Sequence, residues 1–237
     1  MKFKIALFLI AVLLLFTNAA KYDKNAFVVY TVNPKKQDLK MYWKNEKGKN
    51  FASIQNLKVW LESKNLTLDF AMNAGMYNKK SAPQGLYIEK RKTLTSLDTS
   101  SAAGNFYLKP NGVFYLTTSN VPKICKTEDF ANDGKVEYAT QSGPMLVIDG
   151  KIHPEFKEGS SNVNIRNGVG ILPDGKVVFV LSKKEINFYD FASYFKELGC
   201  KNALYLDGFV SRAYVPSQNW EETDGNFGVL FAVTRKR

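Results

Sequence analysis

The chain has 237 residues, of which 45% are apolar, 14% aromatic and 23% charged, and its formal net charge is +11. This length suits one large domain or two small ones, with a core that needs neither disulfides nor a structural metal. The composition excludes a disordered chain, collagen and a coiled coil. One histidine and two cysteines exclude zinc fingers, iron–sulfur clusters and disulfide-dense scaffolds. We assign no metal ligand and no cofactor, and the sequence leaves the question of a metal open.

The first 20 residues have the pattern of an export signal. Residues 1–4 are basic, residues 5–16 form an unbroken apolar run, and residues 17–20 are small or polar, as at a cleavage site. A helix over the apolar run spans about 18 Å, against roughly 30 Å for a bilayer core, which favours a cleaved signal peptide over a membrane anchor. We therefore expect an exported protein, periplasmic or secreted, whose mature domain covers residues 21–237 and has no integral membrane span.

The positive charge indicates the kind of partner. Removing Lys2 and Lys4 with the signal lowers the net charge from +11 to +9. Such a charge suits nucleic acid, phosphate-bearing polymers or anionic surfaces, and equally an ordinary soluble surface. Because export disfavours nucleic acid and the lysines are scattered, we expect no nucleic-acid partner. In an oxidising compartment Cys125 and Cys200 can pair, and the sequence leaves that question open.

The first third of the chain alternates strand and helix patterns. Ala26–Val32 is rich in β-branched and aromatic residues and predicts a strand, with Leu39–Trp43 as its hairpin partner. Phe51–Lys64 predicts an amphipathic helix, and Leu66–Met72 predicts another strand. The helix is expected because apolar residues recur at helical spacing, at Phe51, Ile54, Leu57, Trp60 and Leu61.

Three Asn-Gly or Asp-Gly pairs between β-rich segments predict hairpins in the middle of the chain. Asn105–Thr117 carries Asn111-Gly112, and the two later hairpins turn at residues 149–150 and 174–175. The segment Thr95–Gly104, which precedes the first of them, is expected to be a loop.

The last third contains one more helix between strands. Asn187 is expected to cap a helix that runs through Leu198, with Gly199 at the position just after its end. Ala203–Leu206 and Phe227–Thr234 predict strands. The many hairpins and the two or three helices predict an α+β fold, a single domain with a mixed, mostly antiparallel sheet.

Several polar residues lie where the chain leaves an apolar segment. Asn73 follows the strand at Leu66–Met72, and Gln141 and Ser142 precede the rigid Gly143-Pro144 step. Polar side chains at strand ends can contact a ligand, but ordinary turns favour the same residue types. Residue types alone leave both interpretations open.

An arginine and an aspartate are the strongest single candidates. Arg166 enters an apolar strand, where its planar guanidinium suits a phosphate, a carboxylate or a structural ion pair. Asp207 ends the strand at Ala203–Leu206, although Asp-Gly is also a hairpin signal. Ser211 and Arg212 follow closely. His153 is the one available histidine, and we interpret it as structural or exposed rather than catalytic.

Five features occur in a fixed order along the chain. They are NAGMY at 73–77, PQGL at 83–86, QSGP at 141–144, Arg166 at the start of a strand, and Leu-Asp-Gly with a nearby serine at 206–211. Their order resembles that of the phosphodiester glycosidase family across residues 66–234. Many members have Asn-Gly-Gly-Phe where this chain has Asn-Ala-Gly-Met. Many also have Asp-Gly-Gly-x-Ser, where Phe209 replaces the second glycine here.

The resemblance implies hydrolysis of a sugar-1-phosphodiester at the C1–O bond, on a phosphate-bearing glycan or glycolipid. Asp207 would act as base on water or stabilise the oxocarbenium-like centre, and Arg166, or Arg212 as second choice, would stabilise the departing phosphate. The remaining motif positions are expected to bind substrate, namely Asn73, Gly75, Gln141, Ser142, Gly143, Gly208 and Ser211.

Two other functions are compatible with the sequence. The first is a non-catalytic protein that binds phosphorylated envelope glycans in the same cleft, because Phe209 adds bulk and no second carboxylate can be named. The second is an exported nucleic-acid binder, which would need stacking aromatics that the sequence does not show.

Overall fold

A computed structural model of the protein describes residues 23–207 and 210–237. The signal segment 1–20 and Gly208 lie outside the described residues. The described residues form two α-helices and sixteen strands. In chain order these are β1 (Phe27–Val32), β2 (Asp38–Tyr42), α1 (Ile54–Glu62), β3 (Leu66–Asn73), β4 (Tyr87–Glu89), β5 (Lys92–Thr95), β6 (Gly112–Thr117), β7 (Pro122–Lys126), β8 (Val136–Ser142), β9 (Met145–Ile148), β10 (Lys151–Ile152), β11 (Asn167–Ile171), β12 (Val177–Ser182), α2 (Phe188–Glu197), β13 (Ala203–Tyr205), β14 (Ala213–Val215), β15 (Trp220–Glu221) and β16 (Leu230–Lys236).

The strands form three sheets with antiparallel pairing. The first has the order β1-β12-β11-β13-β9-β10, the second β15-β14-β3-β16-β2, and the third β5-β4-β8-β6-β7. The fold is therefore α+β and a single domain, as the sequence predicts. In the part of the chain that the structure describes, no helix is long and apolar enough to cross a membrane.

Aromatic rings join the three sheets into one core. Phe179 of the first sheet lies 4.8 Å from Phe70 and 4.9 Å from Phe231, both of the second sheet. Phe114 of the third sheet meets Phe231 edge-to-face at 5.3 Å. All four rings are buried, and each contributes roughly 1.5–3 kcal/mol through loss of contact with water. Such a core holds the ends of strands from different sheets in fixed positions.

Both helices begin at side-chain caps. The Ser53 hydroxyl accepts from the main-chain N of Asn56 at 3.2 Å, so α1 is shorter than the predicted Phe51–Lys64. Ala52 has a φ of 62°, which is incompatible with an earlier start. Asn187 caps α2 through a 2.8 Å bond from the main-chain N of Asp190, and Gly199 follows the helix with a φ of 82°. The α2 prediction is confirmed.

Two predicted hairpins are confirmed. Asp149 and Gly150 join β9 to β10 with φ angles of 48° and 78°, both in the region that a two-residue turn of this kind requires. Gly175, with a φ of 79°, lies in the turn that joins β11 to β12.

The predicted hairpin at Asn111-Gly112 is wrong. Asn111 is buried, its Nδ2 donates to the Phe106 carbonyl at 2.9 Å, and Gly112 begins β6. In the predicted hairpin, Pro110 would stand directly before the turn, where it has no N–H to donate to the partner strand. The proline therefore weighs against pairing of the segments on either side of Asn111-Gly112. The strand β6 pairs instead with β7 and β8.

The predicted pairing of the first two strands is also wrong, although both strands exist. Strand β1 pairs with β12 of the first sheet, and β2 pairs with β16 of the second. The turn at residues 33–37 therefore carries the chain from one sheet to another. The last strand, β16, begins at Leu230 rather than Phe227, whose ring is buried outside the strand.

Candidate functional site

Asp207 lies where the chain passes from the first sheet to the second. It follows β13 of the first sheet and precedes β14 of the second, so Asp207-Gly208 is not the turn of a hairpin between these two strands. The Asp207 residue is 7% exposed. Strands β3 and β8 of the other two sheets end at residues that contact this crossing.

Three of the predicted residues hold the backbone at this crossing. The Asn73 amide donates from Nδ2 to the Asp207 carbonyl at 3.4 Å, and the Ser211 hydroxyl donates to the same carbonyl at 3.0 Å. The Ser142 hydroxyl donates to the Leu206 carbonyl at 3.2 Å. Asn73 ends β3 and Ser142 ends β8, so strands of the second and third sheets fix the last residues after β13. The structure thus brings four predicted positions together.

Asn167 belongs to this group and was missed by the sequence analysis. Its Nδ2 donates to Asn73 Oδ1 at 2.7 Å, and the main-chain N of Arg212 donates to the same oxygen at 2.9 Å. Because Oδ1 accepts both bonds, the Asn73 amide must present Nδ2 to Asp207. The Asn167 Oδ1 is buried and accepts no hydrogen bond from any residue that the structure describes. An asparagine beginning a strand directly after Arg166 was the signal available in the sequence.

Two tyrosines interact electrostatically with the Asp207 carboxylate. Burial raises the pKa of the half-buried Tyr77, and the charge of Asp207 raises it further. Burial also raises the pKa of Tyr205 to about 12, with Asp207 adding to this shift and Arg166 opposing it. Both hydroxyls therefore keep their protons at neutral pH and can donate hydrogen bonds. The sequence analysis assigned neither tyrosine a role of its own.

Arg166 is the largest side chain that is almost completely buried, at 1% exposure. Its Nε donates to the Ile186 carbonyl at 2.7 Å, and one terminal nitrogen donates to the Asn162 carbonyl at 2.8 Å. The other terminal nitrogen donates to the Tyr205 hydroxyl at 3.3 Å, and the guanidinium stacks over the Phe188 ring at 3.6 Å. Burial lowers the pKa of Arg166 from its usual value. The acceptors of these bonds are uncharged groups of the protein, so this geometry does not support a direct contact with substrate.

Gln141 uses all of its hydrogen-bonding capacity within the protein. Its Oε1 accepts from the main-chain N of Leu86 at 3.0 Å and of Asp98 at 2.9 Å. Its Nε2 donates to the Asp98 carbonyl at 2.7 Å and to Thr127 Oγ1 at 3.2 Å. An amide side chain has two donor hydrogens and two acceptor lone pairs, so none is left for a ligand. The geometry supports a role in holding loops together rather than the expected contact with substrate.

The predicted glycines are positions of close backbone approach. A Cβ at Gly75 would clash with the Thr140 hydroxyl and the Gln141 carbonyl. A Cβ at Gly143 would lie 2.6 Å from Asn111 Cβ and 2.7 Å from the Phe106 carbonyl. Packing therefore requires glycine at both positions, whatever they contribute to binding. Gly208, the third predicted glycine, lies outside the described residues.

Arg212 is a cation at the edge of the site. Its side chain is 34% exposed and forms a bidentate pair with Asp224, with N–O distances of 2.8 and 3.2 Å. Hydrogen bonds from Arg212 lower the pKa of the Asp224 carboxyl. Since its main-chain N also donates to Asn73, Arg212 is attached to the same network as Asp207.

His153 lies at the far end of a column of stacked planar groups. Its ring stacks on Phe156 at 4.7 Å, Phe156 stacks on Phe188 at 4.8 Å, and Phe188 supports Arg166. Its Nδ1 accepts from the main-chain N of Glu155 at 3.2 Å, and burial lowers the pKa of the imidazole. This placement agrees with the structural interpretation of the histidine.

The remaining candidate ligands are dispersed. Cys125 and Cys200 are both free thiols, and burial raises their pKa values to about 11 and about 12. Within residues 23–207 and 210–237, no three His, Cys, Asp or Glu side chains gather closely enough to hold a metal ion.

Solved structures of other proteins have the same fold. The catalytic domain of zebrafish N-acetylglucosamine-1-phosphodiester alpha-N-acetylglucosaminidase, auto-inhibited by its pro-peptide, superposes with a TM-score of 0.60. The match covers 89% of this chain and 83% of the zebrafish chain at 12% identity. A hypothetical protein from Synechocystis matches with a TM-score of 0.55 at 14% identity, over 89% of this chain and 59% of its own. At these identities the likeness concerns the fold alone.

Comparisons of sequence place the family. The uncharacterized protein YigE of Escherichia coli K12 is 40% identical over 187 residues, which cover 78% of this chain and 73% of YigE. The profile of the phosphodiester glycosidase family matches residues 67–232, and this span includes Asn73, Asp207 and every polar residue that holds them. The chain therefore belongs to the phosphodiester glycosidase family.

Proposed function

We propose that this protein is an exported hydrolase that cleaves a sugar-1-phosphodiester at the C1–O bond, on a phosphate-bearing glycan or glycolipid. The observation that carries the proposal is Asp207. Asp207 is nearly buried, and its backbone is held by side chains at the ends of strands from the other two sheets. Its carboxylate also interacts electrostatically with two protonated tyrosines, Tyr77 and Tyr205. Family membership supports the reaction class, and the apolar segment at residues 5–16 supports export.

Asp207 promotes the reaction at C1 of the sugar in this proposal, either through the attacking water or directly. Its carboxylate either removes a proton from the attacking water or stabilises the positive charge that develops at C1. Both roles require a carboxylate held in one orientation, since misplacement by about 1 Å can reduce a rate about a hundredfold. The hydrogen bonds from Asn73 and Ser211 to the Asp207 carbonyl restrict that movement.

The departing phosphate needs charge stabilisation more than it needs a proton, because cleavage of the C1–O bond releases a phosphate monoester, which is a stable anion. We assign this role to Arg212, whose guanidinium is partly exposed and could exchange Asp224 for a phosphate oxygen. Arg166 then acts as a positioning residue, because its guanidinium is buried and reaches the site through the Tyr205 hydroxyl. Tyr77 and Tyr205 supply further hydrogen-bond donors.

A binding protein without catalytic activity is the second candidate. The sequence places Phe209 where many family members have glycine, directly after the Asp207-Gly208 step. Phenylalanine adds bulk to the motif that contains Asp207. In a binding protein, a phosphorylated glycan would bind in the cleft and would not be cleaved.

The test is hydrolysis of a panel of sugar-1-phosphodiesters by the mature domain, with glucose and N-acetylglucosamine in both anomers. We expect release of free sugar by the wild type and a loss of about 10²–10³-fold in Asp207→Asn, the scale of removing a group that stabilises charge or transfers a proton. Asp149→Asn is the matched control, because Asp149 is an exposed turn residue with a φ of 48°, which asparagine tolerates.

The two candidates differ in outcome. A glycan that binds equally to wild type and Asp207→Asn, with no sugar released from any diester, would favour the binding protein. Hydrolysis that survives Asp207→Asn would leave an enzyme but remove Asp207 from its mechanism.

A further inference from the structure

A cavity of about 300 Å³ opens between the loop that precedes β6 and the end of β7. Pockets that bind small ligands begin at about this volume, which accommodates one sugar unit. The sequence analysis assigned no binding role to any residue of its wall. Its polar lining consists of Thr99, Lys109, Asn111, Lys126, Thr127 and Glu128.

The charges around the cavity favour an anion. Lys109 is exposed and held by a 3.2 Å bond from its Nζ to the Thr99 carbonyl, and Lys126 lies 3.6 Å from Glu128. The two lysines and the glutamate leave one net positive charge at the mouth. Lysine ammonium groups bind phosphate oxygens, and a carboxylate accepts hydrogen bonds from sugar hydroxyls.

The floor of the cavity is polar and fixed. Asn111 and Thr127 are both buried, and the main-chain N of Thr127 donates to the Asn111 carbonyl at 3.0 Å. Thr127 Oγ1 accepts from Gln141 Nε2 at 3.2 Å, so its hydroxyl hydrogen is the part that remains for a ligand. A sugar hydroxyl or phosphate oxygen entering the cavity would accept that hydrogen.

The same residues connect the cavity to Asp207. Gln141 supports the floor of the cavity through its bond to Thr127, and Gly143 packs so closely against Asn111 that a Cβ at position 143 would clash with it. Between these two residues, Ser142 donates to the Leu206 carbonyl, beside Asp207. Successive side chains of a strand point to opposite faces. At the end of β8, Gln141 therefore reaches the cavity on one face, and Ser142 reaches the Asp207 crossing on the other.

We propose that this cavity is a second binding subsite, which holds another phosphorylated sugar unit of the molecule whose C1–O bond is cleaved at Asp207. The link to cleavage rests on the proposed function, while binding in the cavity can be measured without it. The substrate class is then a glycan with more than one phosphate group rather than a single sugar diester.

Glucose 6-phosphate is the probe for this subsite, because its phosphate is not at C1 and it offers no diester bond to cleave. In a titration of the full mature chain followed by NMR, we expect the main-chain amides of Thr99, Asn111 and Thr127 to shift. Neutral glucose should bind at least about tenfold more weakly, because it lacks the charge-assisted hydrogen bonds. Equal binding of glucose would overturn the anionic part of the proposal.

Variants of the cavity residues should change affinity in opposite directions. The double variant Lys109→Gln, Lys126→Gln should weaken glucose 6-phosphate binding at least about tenfold. Glu128→Gln should strengthen it by up to about fivefold, because the mouth then loses its one negative charge. Lys123→Gln is the control, since Lys123 lies on the same strand as Lys126 and does not line this cavity. Unchanged binding in both cavity variants would refute the subsite.

The subsite and the proposed function fail in distinguishable ways. Binding should persist in Asp207→Asn, because the probe does not need the catalytic carboxylate. Hydrolysis of monophosphorylated diesters at rates equal to diphosphorylated ones, together with no shifts in the cavity, would remove the subsite and leave the enzyme. Cavity shifts without hydrolysis of any diester would retain a phosphosugar site and remove the proposed reaction.

Discussion

Asn73 and Asp207 are 134 positions apart in the chain, yet the side-chain amide of Asn73 donates to the main-chain carbonyl of Asp207 at 3.4 Å. Asn73 closes a strand of the second sheet, and Asp207 follows a strand of the first. The contact therefore joins two sheets directly at the candidate catalytic residue. Asn167 and the main chain of Arg212 hold the amide in the orientation that makes this contact possible.

Asn73→Asp should impair both stability and activity. The new carboxylate keeps the oxygen that Asn167 and Arg212 contact, but it replaces the donor that faces the Asp207 carbonyl with an acceptor. We expect a loss of about 1–3 kcal/mol in unfolding free energy and about a hundredfold in kcat/KM. Urea unfolding and diester hydrolysis measure the two effects. Asn78→Asp is the control, because Asn78 Oδ1 only accepts hydrogen bonds from main-chain N–H groups in an exposed turn.

Arg166→Lys should be strongly destabilising although it keeps the charge. A lysine ammonium cannot stack flat on Phe188 while reaching the Ile186 carbonyl and the Tyr205 hydroxyl, and it leaves buried groups without partners. We expect a loss of about 1–3 kcal/mol in urea unfolding. Arg235→Lys changes an exposed pair with Asp69 and should cost less than about 1 kcal/mol. Equal effects at the two positions would contradict the structural role assigned to Arg166.

Arg212→Lys should affect substrate binding more than folding. The side chain is partly exposed, so its replacement leaves the core intact, but the planar fork that fits a phosphate is lost. A charge-assisted hydrogen bond contributes about 1.5–3 kcal/mol, which corresponds to an increase of about ten- to a hundredfold in KM or an equivalent loss in kcat/KM. Steady-state kinetics and thermal unfolding separate the two effects. A lowered melting temperature with unchanged kinetics would show that Arg212 is only structural.

The stability of the protein should decrease on acidification because of His153. Burial lowers the pKa of this imidazole below its ordinary 6.5, so the unfolded chain binds a proton at a pH where the folded chain does not. The contribution of the neutral His153 to the free energy of unfolding is complete above about pH 6.5. It is lost as the pH falls through the lower pKa that His153 has in the folded state. Thermal unfolding between pH 5 and 8 measures this dependence.

His153→Phe is the variant that isolates the effect. Phenylalanine keeps the stacking on Phe156 and has no group that titrates. The difference in melting temperature between variant and wild type should therefore change with pH below about 6.5 and stay constant above it. A constant difference over the whole range would assign the acid sensitivity to other groups.

Local patterns in the sequence correctly predict the elements that depend on neighbouring residues. The cap at Asn187, the glycine after α2 and the Asp-Gly turns at residues 149–150 and 174–175 form as expected. Each is decided by steric limits and hydrogen bonds within a few residues, so the amino acids present are sufficient to identify it. The family motifs likewise lie within the span that the family profile matches.

The tertiary structure decided which distant segments meet. Strand β2 pairs with β16, nearly two hundred positions away, and Asn111 fills a buried position although Asn-Gly favours a turn. Asn167 contacts Asn73, and Gln141 forms its hydrogen bonds with loops of the protein rather than with a ligand. These outcomes depend on the packing of three sheets around one aromatic core, where burial and hydrogen-bond satisfaction over the whole chain outweigh local preference. The sequence alone therefore determined the fold class and the position of Asp207 at a strand end, while packing determined which side chains surround it.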